Sequence, residues 1–175
     1  MKKLKLEELE RDTVDSYKLK DKLPLVVVLD NVRSAMNVGS IFRTSDAFLV
    51  EKICLCGITA TPPNREITKT AIGATESVEW EYFDVTAKAL EALKSGGYQL
   101  IGVEQTDSSV MLYDFSTKPE GKYALVLGNE VEGVDEELLP MLDACIEIPQ
   151  EGTKHSLNVS VCAGIVIYHF YQGLK

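Results

Sequence analysis

Five consecutive apolar residues, Leu25-Val26-Val27-Val28-Leu29, stand between Pro24 and Asp30 with no polar position among them. A β-branched run bounded by turn signals predicts a strand buried on both faces of a parallel sheet, because a strand with one wet face would alternate. After a polar loop from Asp30 to Met36, Val38, Ile41, Phe42, Phe48 and Leu49 recur at helical spacing, and Asn37 is placed to cap the first turn. The same alternation predicts strands at Lys52–Cys56, Val78–Phe83, Tyr98–Val103, Tyr123–Leu127 and Ala144–Ile148. Helices are predicted at Glu66–Ile72, Val85–Lys94 (closed by Gly96-Gly97) and around Asp135–Leu142, with a looser stretch from Thr106 to Gly121. The last element, Leu157–Tyr171, is apolar on nearly every side, so it must be buried within the domain or against a second subunit.

Strands alternating with helices imply an α/β fold with a mainly parallel sheet flanked by helices, whose ligands gather at the C-terminal ends of the strands. Residues 24–175 make one such domain. Ahead of it, residues 1–23 read as a helical arm, with Leu6, Leu9 and Thr13 at helical spacing among many charges. No apolar run is long enough to span a bilayer and the N-terminus is charged, so a cytoplasmic protein is expected. Cys54, Cys56, Cys145 and Cys162 all lie in apolar runs without finger-like spacing, so they are expected to be structural thiols with no metal.

The net charge of −9 argues at first against a nucleic-acid partner. The average conceals an asymmetry: residues 1–70 balance at +2, whereas residues 71–175 balance at −11. A polyanion should therefore meet the N-terminal part of the chain, at Arg33, Arg43, Arg65 and Lys69, and in a dimer two copies of these side chains would form one positive surface.

Four polar loops follow the predicted strands. In the first, Gly39 and Ser40 are expected to leave a helical turn open for a ligand, with Arg43 one turn beyond. Its planar fork suits phosphate, although spacing alone equally allows an ordinary surface arginine. The second is Val103-Glu104-Gln105-Thr106. The third, Gly128-Asn129-Glu130-Val131-Glu132-Gly133, has glycines that permit close backbone approach but carboxylates that would repel a pyrophosphate, so a neutral or cationic ligand fits better. The fourth runs from Ile148-Pro149 through His155 to Ser156-Leu157-Asn158, where Ser156 is a natural cap for the last helix. His155 beside Ser156 does not make a hydrolase, because no G-x-S-x-G elbow exists.

Taken together, Asn37-x-Gly39-x-x-x-Arg43, Leu127-Gly128-Asn129-Glu130-x-x-Gly133 and Ile148-Pro149 followed by Ser156-Leu157-Asn158 resemble the three motifs of the SpoU/TrmH branch of the SPOUT methyltransferases, in order and in spacing over residues 24–173. That resemblance implies a C-terminal deep trefoil knot, a homodimer formed through the last helix, and transfer of a methyl group from S-adenosylmethionine to a ribose 2′-hydroxyl of tRNA or rRNA. It implies that Glu104, Leu127, Gly128, Ile148 and Leu157 hold the cofactor, with Gly128 giving close backbone approach. It assigns activation of the 2′-hydroxyl to Arg43, acting within its own chain or from the partner. A neutral arginine base is physically demanding, because its pKa exceeds ~12, so a clamp on the adjacent phosphate that stabilises the developing alkoxide is the preferred role. Asn37, Glu130, Ser156 and Asn158 are expected to orient Arg43 and the ribose, with Glu130 as ion-pair partner of Arg43. A non-catalytic RNA-binding or assembly protein that keeps the fold is the alternative. A nucleotide-dependent oxidoreductase is disfavoured by the absence of G-x-G-x-x-G.

Overall fold

A computed structural model of the chain describes residues 1–9, 11–154 and 156–175; His155 lies outside the described residues. Seven strands form one sheet in the order β3-β2-β1-β6-β4-β7-β5, with every described pairing parallel. They are β1 (Leu23–Asp30), β2 (Val50–Cys56), β3 (Glu79–Phe83), β4 (Gln99–Val103), β5 (Val110–Met111), β6 (Tyr123–Leu127) and β7 (Ala144–Glu147). The helices are α1 (Val14–Leu19), α2 (Ala35–Ala47), α3 (Arg65–Ala71), α4 (Ala74–Ser77), α5 (Thr86–Ser95) and α6 (Val159–Leu174).

The apolar run 25–29 is fully buried, as its pattern requires. Leu25, Val27 and Leu29 face a core shared with Val38, Ile41 and Phe42 of α2 and with Ala163, Val166, Ile167 and Phe170 of α6. Val26 and Val28 face the other layer, built from Cys54, Cys56 and Ala89, Leu90 and Leu93 of α5. The sheet is therefore covered on both sides, the condition under which parallel strands are stable. From β1 the chain runs outward through β2 to β3, then crosses to the other side, where β6 is inserted between β1 and β4, and β7 between β4 and β5. The point where strand order reverses, beside the C-terminal ends of β1 and β6, is where such sheets leave a crevice.

Several local expectations are corrected. The arm is helical in two short pieces, with Thr13 between them and not on one helical face with Leu6 and Leu9. A 3-10 turn covers Leu6–Leu9, and α1 follows with Thr13 as its cap, in a reciprocal pairing with Ser16 (2.9 and 3.2 Å). Tyr17 on α1 is buried against the core. The cap of α2 is Ser34, not Asn37, so that helix begins three residues early. The segment 136–141 is a 3-10 helix because Pro140 lacks the N–H that an α-helix needs. The stretch 106–121 contains the two-residue β5. Finally, α6 starts at Val159 with Asn158 as its cap (Oδ1 to the Ser160 N–H, 2.9 Å), which leaves Ser156 and Leu157 in the preceding loop. No helix among the described residues is long and apolar enough to cross a membrane.

Candidate active site

The loops after β4, β6 and β7 and the start of α6 enclose a cavity of about 490 Å3. Its wall includes Glu104, Leu127, Gly128, Ile148 and Leu157, all five residues expected to hold a cofactor, together with Glu130, Ser156 and Asn158. Leu127 is buried at the end of β6, while Leu157 is exposed beside the N-terminus of α6.

The 128–134 loop closes on itself. Asn129 and Gly133 exchange two backbone hydrogen bonds (2.8 and 2.9 Å). The Asn129 Oδ1 accepts from the Val131 N–H (2.8 Å), and its Nδ2 donates to the Asn31 carbonyl (2.9 Å). Gly133 has φ +74°, in the region glycine alone enters freely, and a Cβ there would fall 2.1 Å from the Glu104 carboxylate. That carboxylate accepts from the N–H groups of Val134 (3.0 Å) and Gln105 (2.8 Å), so Glu104 braces the loop as well as lining the cavity. A Cβ on Gly128 would lie 2.0 Å from the Gly133 carbonyl carbon and 2.1 Å from the Val134 nitrogen. Gly128 is thus required by the loop's own closure, a need distinct from the ligand approach expected of it.

A second set of bonds ties this loop to α2 and α6. The Glu130 carboxylate accepts from the backbone N–H of Arg33 (2.8 Å) and of Ser34 (3.0 Å) and from the Asn37 amide (2.9 Å). Asn158 in turn donates to Asn37 Oδ1 (3.2 Å). Residues 93 and 121 positions from Asn37 thereby meet it at one point. Partial burial pushes the Glu130 pKa up, but the hydrogen bonds from Arg33, Asn37 and Ser34 outweigh it and hold the carboxyl below its ordinary value.

The expected Glu130–Arg43 ion pair is not formed; Glu130 is satisfied by backbone N–H groups and Asn37 instead. Asn37 and Arg43 are six residues apart on α2, which places them ~120° apart around the helix and ~9 Å apart along it. Arg43 accordingly lines a separate cavity of about 460 Å3 with Arg11, Tyr17, Asp46 and Ile72. Nor does Gly39 leave an open turn. A Cβ there would sit 2.0 Å from Thr70 Oγ1 and 2.4 Å from the Ile67 carbonyl, so its role is to let α3 cross α2 closely. Arg33, Arg65 and Lys69 are exposed; Arg65 opens α3 and Lys69 lies in its last turn.

The sequence reading missed Asn31 and Asn129 as the strut between the β1 and β6 loops, although Asn31, with φ +53°, sits where asparagine is the natural non-glycine residue. It also missed Glu132, Glu147 and Cys162 as cavity walls. Burial, with the Glu104 charge adding to it, pushes the Cys162 thiol up to about 11.

Against known proteins, the profile of the SpoU rRNA methylase family matches residues 24–168. The chain belongs to the SpoU rRNA methylase family. Among related SpoU-type proteins, the 23S rRNA (guanosine-2'-O-)-methyltransferase RlmB of Neisseria meningitidis is 32% identical over 144 residues, which are 82% of this chain and 56% of that protein. The crystal structure of the A. aeolicus TrmH/SpoU tRNA modifying enzyme superposes with a TM-score of 0.80 at 28% identity, covering 91% of this chain and 80% of the other. The AdoMet-bound rRNA methyltransferase of Sinorhizobium meliloti gives 0.81 at 27% identity, covering 93% and 60%. This SpoU family chain spans 56% and 64% of the length of two curated relatives it matches, the RlmB proteins of N. meningitidis and Vibrio parahaemolyticus.

Proposed function

We propose that this chain transfers a methyl group from S-adenosylmethionine to a ribose 2′-hydroxyl of tRNA or rRNA in the cytoplasm. The observation that carries the reading is the gathering of Glu104, Leu127, Gly128, Ile148 and Leu157 around one cavity at the C-terminal ends of β4, β6 and β7. The donor set fits the group: apolar Leu127, Ile148 and Val159 offer walls for an adenine, and the lining carboxylates suit a sulfonium and an ammonium. Relatives named as 2′-O-methyltransferases, and a neighbour recorded with AdoMet bound, support the same class of chemistry.

When bound, the cofactor supplies the methyl group: the 2′-oxygen bonds to the methyl carbon as the carbon–sulfur bond breaks with its electron pair kept by sulfur, and the hydroxyl proton leaves to phosphate or water. The protein aligns the partners and excludes solvent. Glu104, Asn129 and Glu130 hold the cavity loop rigid, while Ser156 and Asn158 stand at the rim where a ribose would enter. Arg43 clamps the phosphate next to the reacting ribose and stabilises the developing alkoxide. Because Arg43 lies outside its own chain's cavity, it serves the cavity of a partner subunit. A homodimer through α6 accounts for the exposed apolar Val161, Ile165 and Tyr168 on a helix whose Ala163, Val166, Ile167 and Phe170 are already buried in the core. Insertion of β6 and β7 between earlier strands accords with a knotted C-terminal part. Arg33, Arg65 and Lys69 complete the RNA-facing surface.

Methyl incorporation from labelled S-adenosylmethionine into RNA lacking 2′-O-methyl groups tests the reading. Cofactor binding with no incorporation into tRNA or rRNA would favour a non-catalytic RNA-binding role instead.

A further inference from the structure

We propose that the carboxylates of Glu132 and Glu147 make the cofactor cavity a charge-selective site, holding the sulfonium form of the cofactor more tightly than the neutral thioether product and so driving product release. The inference rests on the assignment of this cavity to S-adenosylmethionine.

Four carboxylates, those of Glu104, Glu130, Glu132 and Glu147, line the cavity, and no lysine or arginine does so among the described residues. They are not equivalent. Glu104 and Glu130 are engaged by backbone N–H groups and, for Glu130, by the Asn37 amide, so replacing either would disturb the loops they hold as well as the charge of the cavity. Glu147 accepts one hydrogen bond, from the Ser109 hydroxyl (2.9 Å). The Glu132 carboxylate accepts none among the described residues, and Glu132 is an exposed residue of the cavity wall. Glu132 and Glu147 are therefore the two carboxylates that add charge to the cavity without tying its loops to the N–H groups around them.

Methyl transfer removes one positive charge from the bound molecule: the sulfonium becomes a thioether, while the amino-acid ammonium and carboxylate are unchanged. Structural hydrogen bonds to adenine or ribose do not distinguish the two species. A carboxylate field does: across a cavity of this kind, a unit charge ~10–20 Å from a carboxylate at the effective dielectric of a protein surface is worth roughly four- to seventeenfold in affinity. The reaction itself thus weakens the ligand's hold on the site.

Titration calorimetry at low ionic strength tests this with S-adenosylmethionine, S-adenosylhomocysteine and sinefungin, in which an amine-bearing carbon replaces the methylated sulfonium and keeps the positive charge. In Glu132→Gln and in Glu147→Gln, affinity for S-adenosylmethionine and sinefungin should each fall about fivefold, that for S-adenosylhomocysteine should stay within about twofold, and the difference should shrink in high salt. Glu120→Gln, in the loop before β6 and outside this cavity, should change none of the three. A reversed charge in Glu132→Lys should narrow the preference further, with a thermal melt showing that the fold is kept. An equal change for all three ligands, no change for any, or the same pattern in Glu120→Gln would overturn the proposal while leaving the cofactor assignment intact. Failure of the wild-type protein to bind any of them would remove both.

Discussion

Gly128→Ala separates two uses of a glycine. If Gly128 served only to let a ligand approach, adding a methyl group would cost affinity and leave stability unchanged. The structure sets a different demand, because the new Cβ would lie 2.0, 2.1 and 2.2 Å from the carbonyl carbon of Gly133, the nitrogen of Val134 and the carbonyl oxygen of Gly133. All three are backbone atoms, so no side-chain rotation relieves the clash. Ordinary contact begins near 3.4 Å, so the facing backbone must retreat by more than an ångström. That retreat breaks the paired Asn129–Gly133 bonds and the bond from Val134 to Glu104. Two neutral backbone bonds and one charge-assisted bond, partly replaced by water at an exposed loop, amount to about 2–4 kcal/mol. That is a large share of the ~5–15 kcal/mol that holds a domain of this kind together. Urea denaturation should show the loss with the m-value unchanged, and calorimetry on the same protein should show weakened cofactor binding. Gly152→Ala, where an added Cβ meets nothing within 4 Å, should stay within ~0.5 kcal/mol of wild type. Lost affinity with unchanged stability would return Gly128 to a purely ligand-facing role and refute the closure argument.

Glu130→Gln should lower stability by about 1 kcal/mol at neutral pH, since one amide oxygen replaces a carboxylate that accepts three hydrogen bonds at a partly exposed site. The folded pKa is depressed, so the carboxylate's contribution is fully present above its ordinary value of 4.5 and is lost as pH falls through the lower folded value. Denaturation midpoints of the two proteins should therefore converge in acid, and a constant gap down to pH 2 would contradict the assignment. Arg43→Ala should lower methyl incorporation at least ~100-fold while leaving cofactor affinity within about twofold, and mixing it with Gly128→Ala protein should restore activity in mixed dimers. No restoration on mixing would place Arg43 in its own subunit's reaction. With the thiol pushed to about 11, Cys162 should be thiolate in fewer than ~1 in 1,000 molecules at pH 7.5, so iodoacetamide should label it far more slowly than a free thiol; rapid labelling followed by peptide mass spectrometry would show the cavity wall to be more open than described. Arg65→Ala and Lys69→Ala should each lower the salt slope of RNA binding by about one, measured by filter binding between 50 and 200 mM salt, and unchanged slopes would remove α3 from the RNA surface.

The sheet was legible because its signal is one-dimensional. A run such as Leu25–Leu29 is buried on both faces whatever it packs against, and its β-branched residues suit no other element as well. Helix starts were less legible because neighbouring polar residues compete for the same cap. Ser34 and Asn37 are both able to cap α2, and Ser156 and Asn158 to cap α6. Which one does so is decided by partners far along the chain, since the Asn37 amide is occupied by Glu130 and Asn158. The cavity-lining set could be inferred from motif resemblance, but the division of labour within it could not. Nothing in the spacing says that Glu104 would reach the Val134 N–H, or that Gly39 would be filled by α3 and not by a ligand.

The three motifs therefore work less as a list of ligand contacts than as a set of struts, and this bears on where catalysis takes place. Asn37, Glu130 and Asn158 are joined to one another and to backbone N–H groups, which fixes the ends of α2 and α6 against the cavity loop. Having spent the start of α2 on that joint, the helix turns Arg43 away from the cavity by its own pitch. A longer side chain would not correct this, because the separation combines rotation with ~9 Å of axial rise. The residue with the strongest claim to the chemistry and the cavity with the strongest claim to the cofactor thus occupy different surfaces of one chain. The proposed homodimer, with a second copy against the exposed face of α6, would bring such surfaces together without unmaking the joint, so the rigidity of the three-motif network and the proposed role of a partner rest on the same bonds.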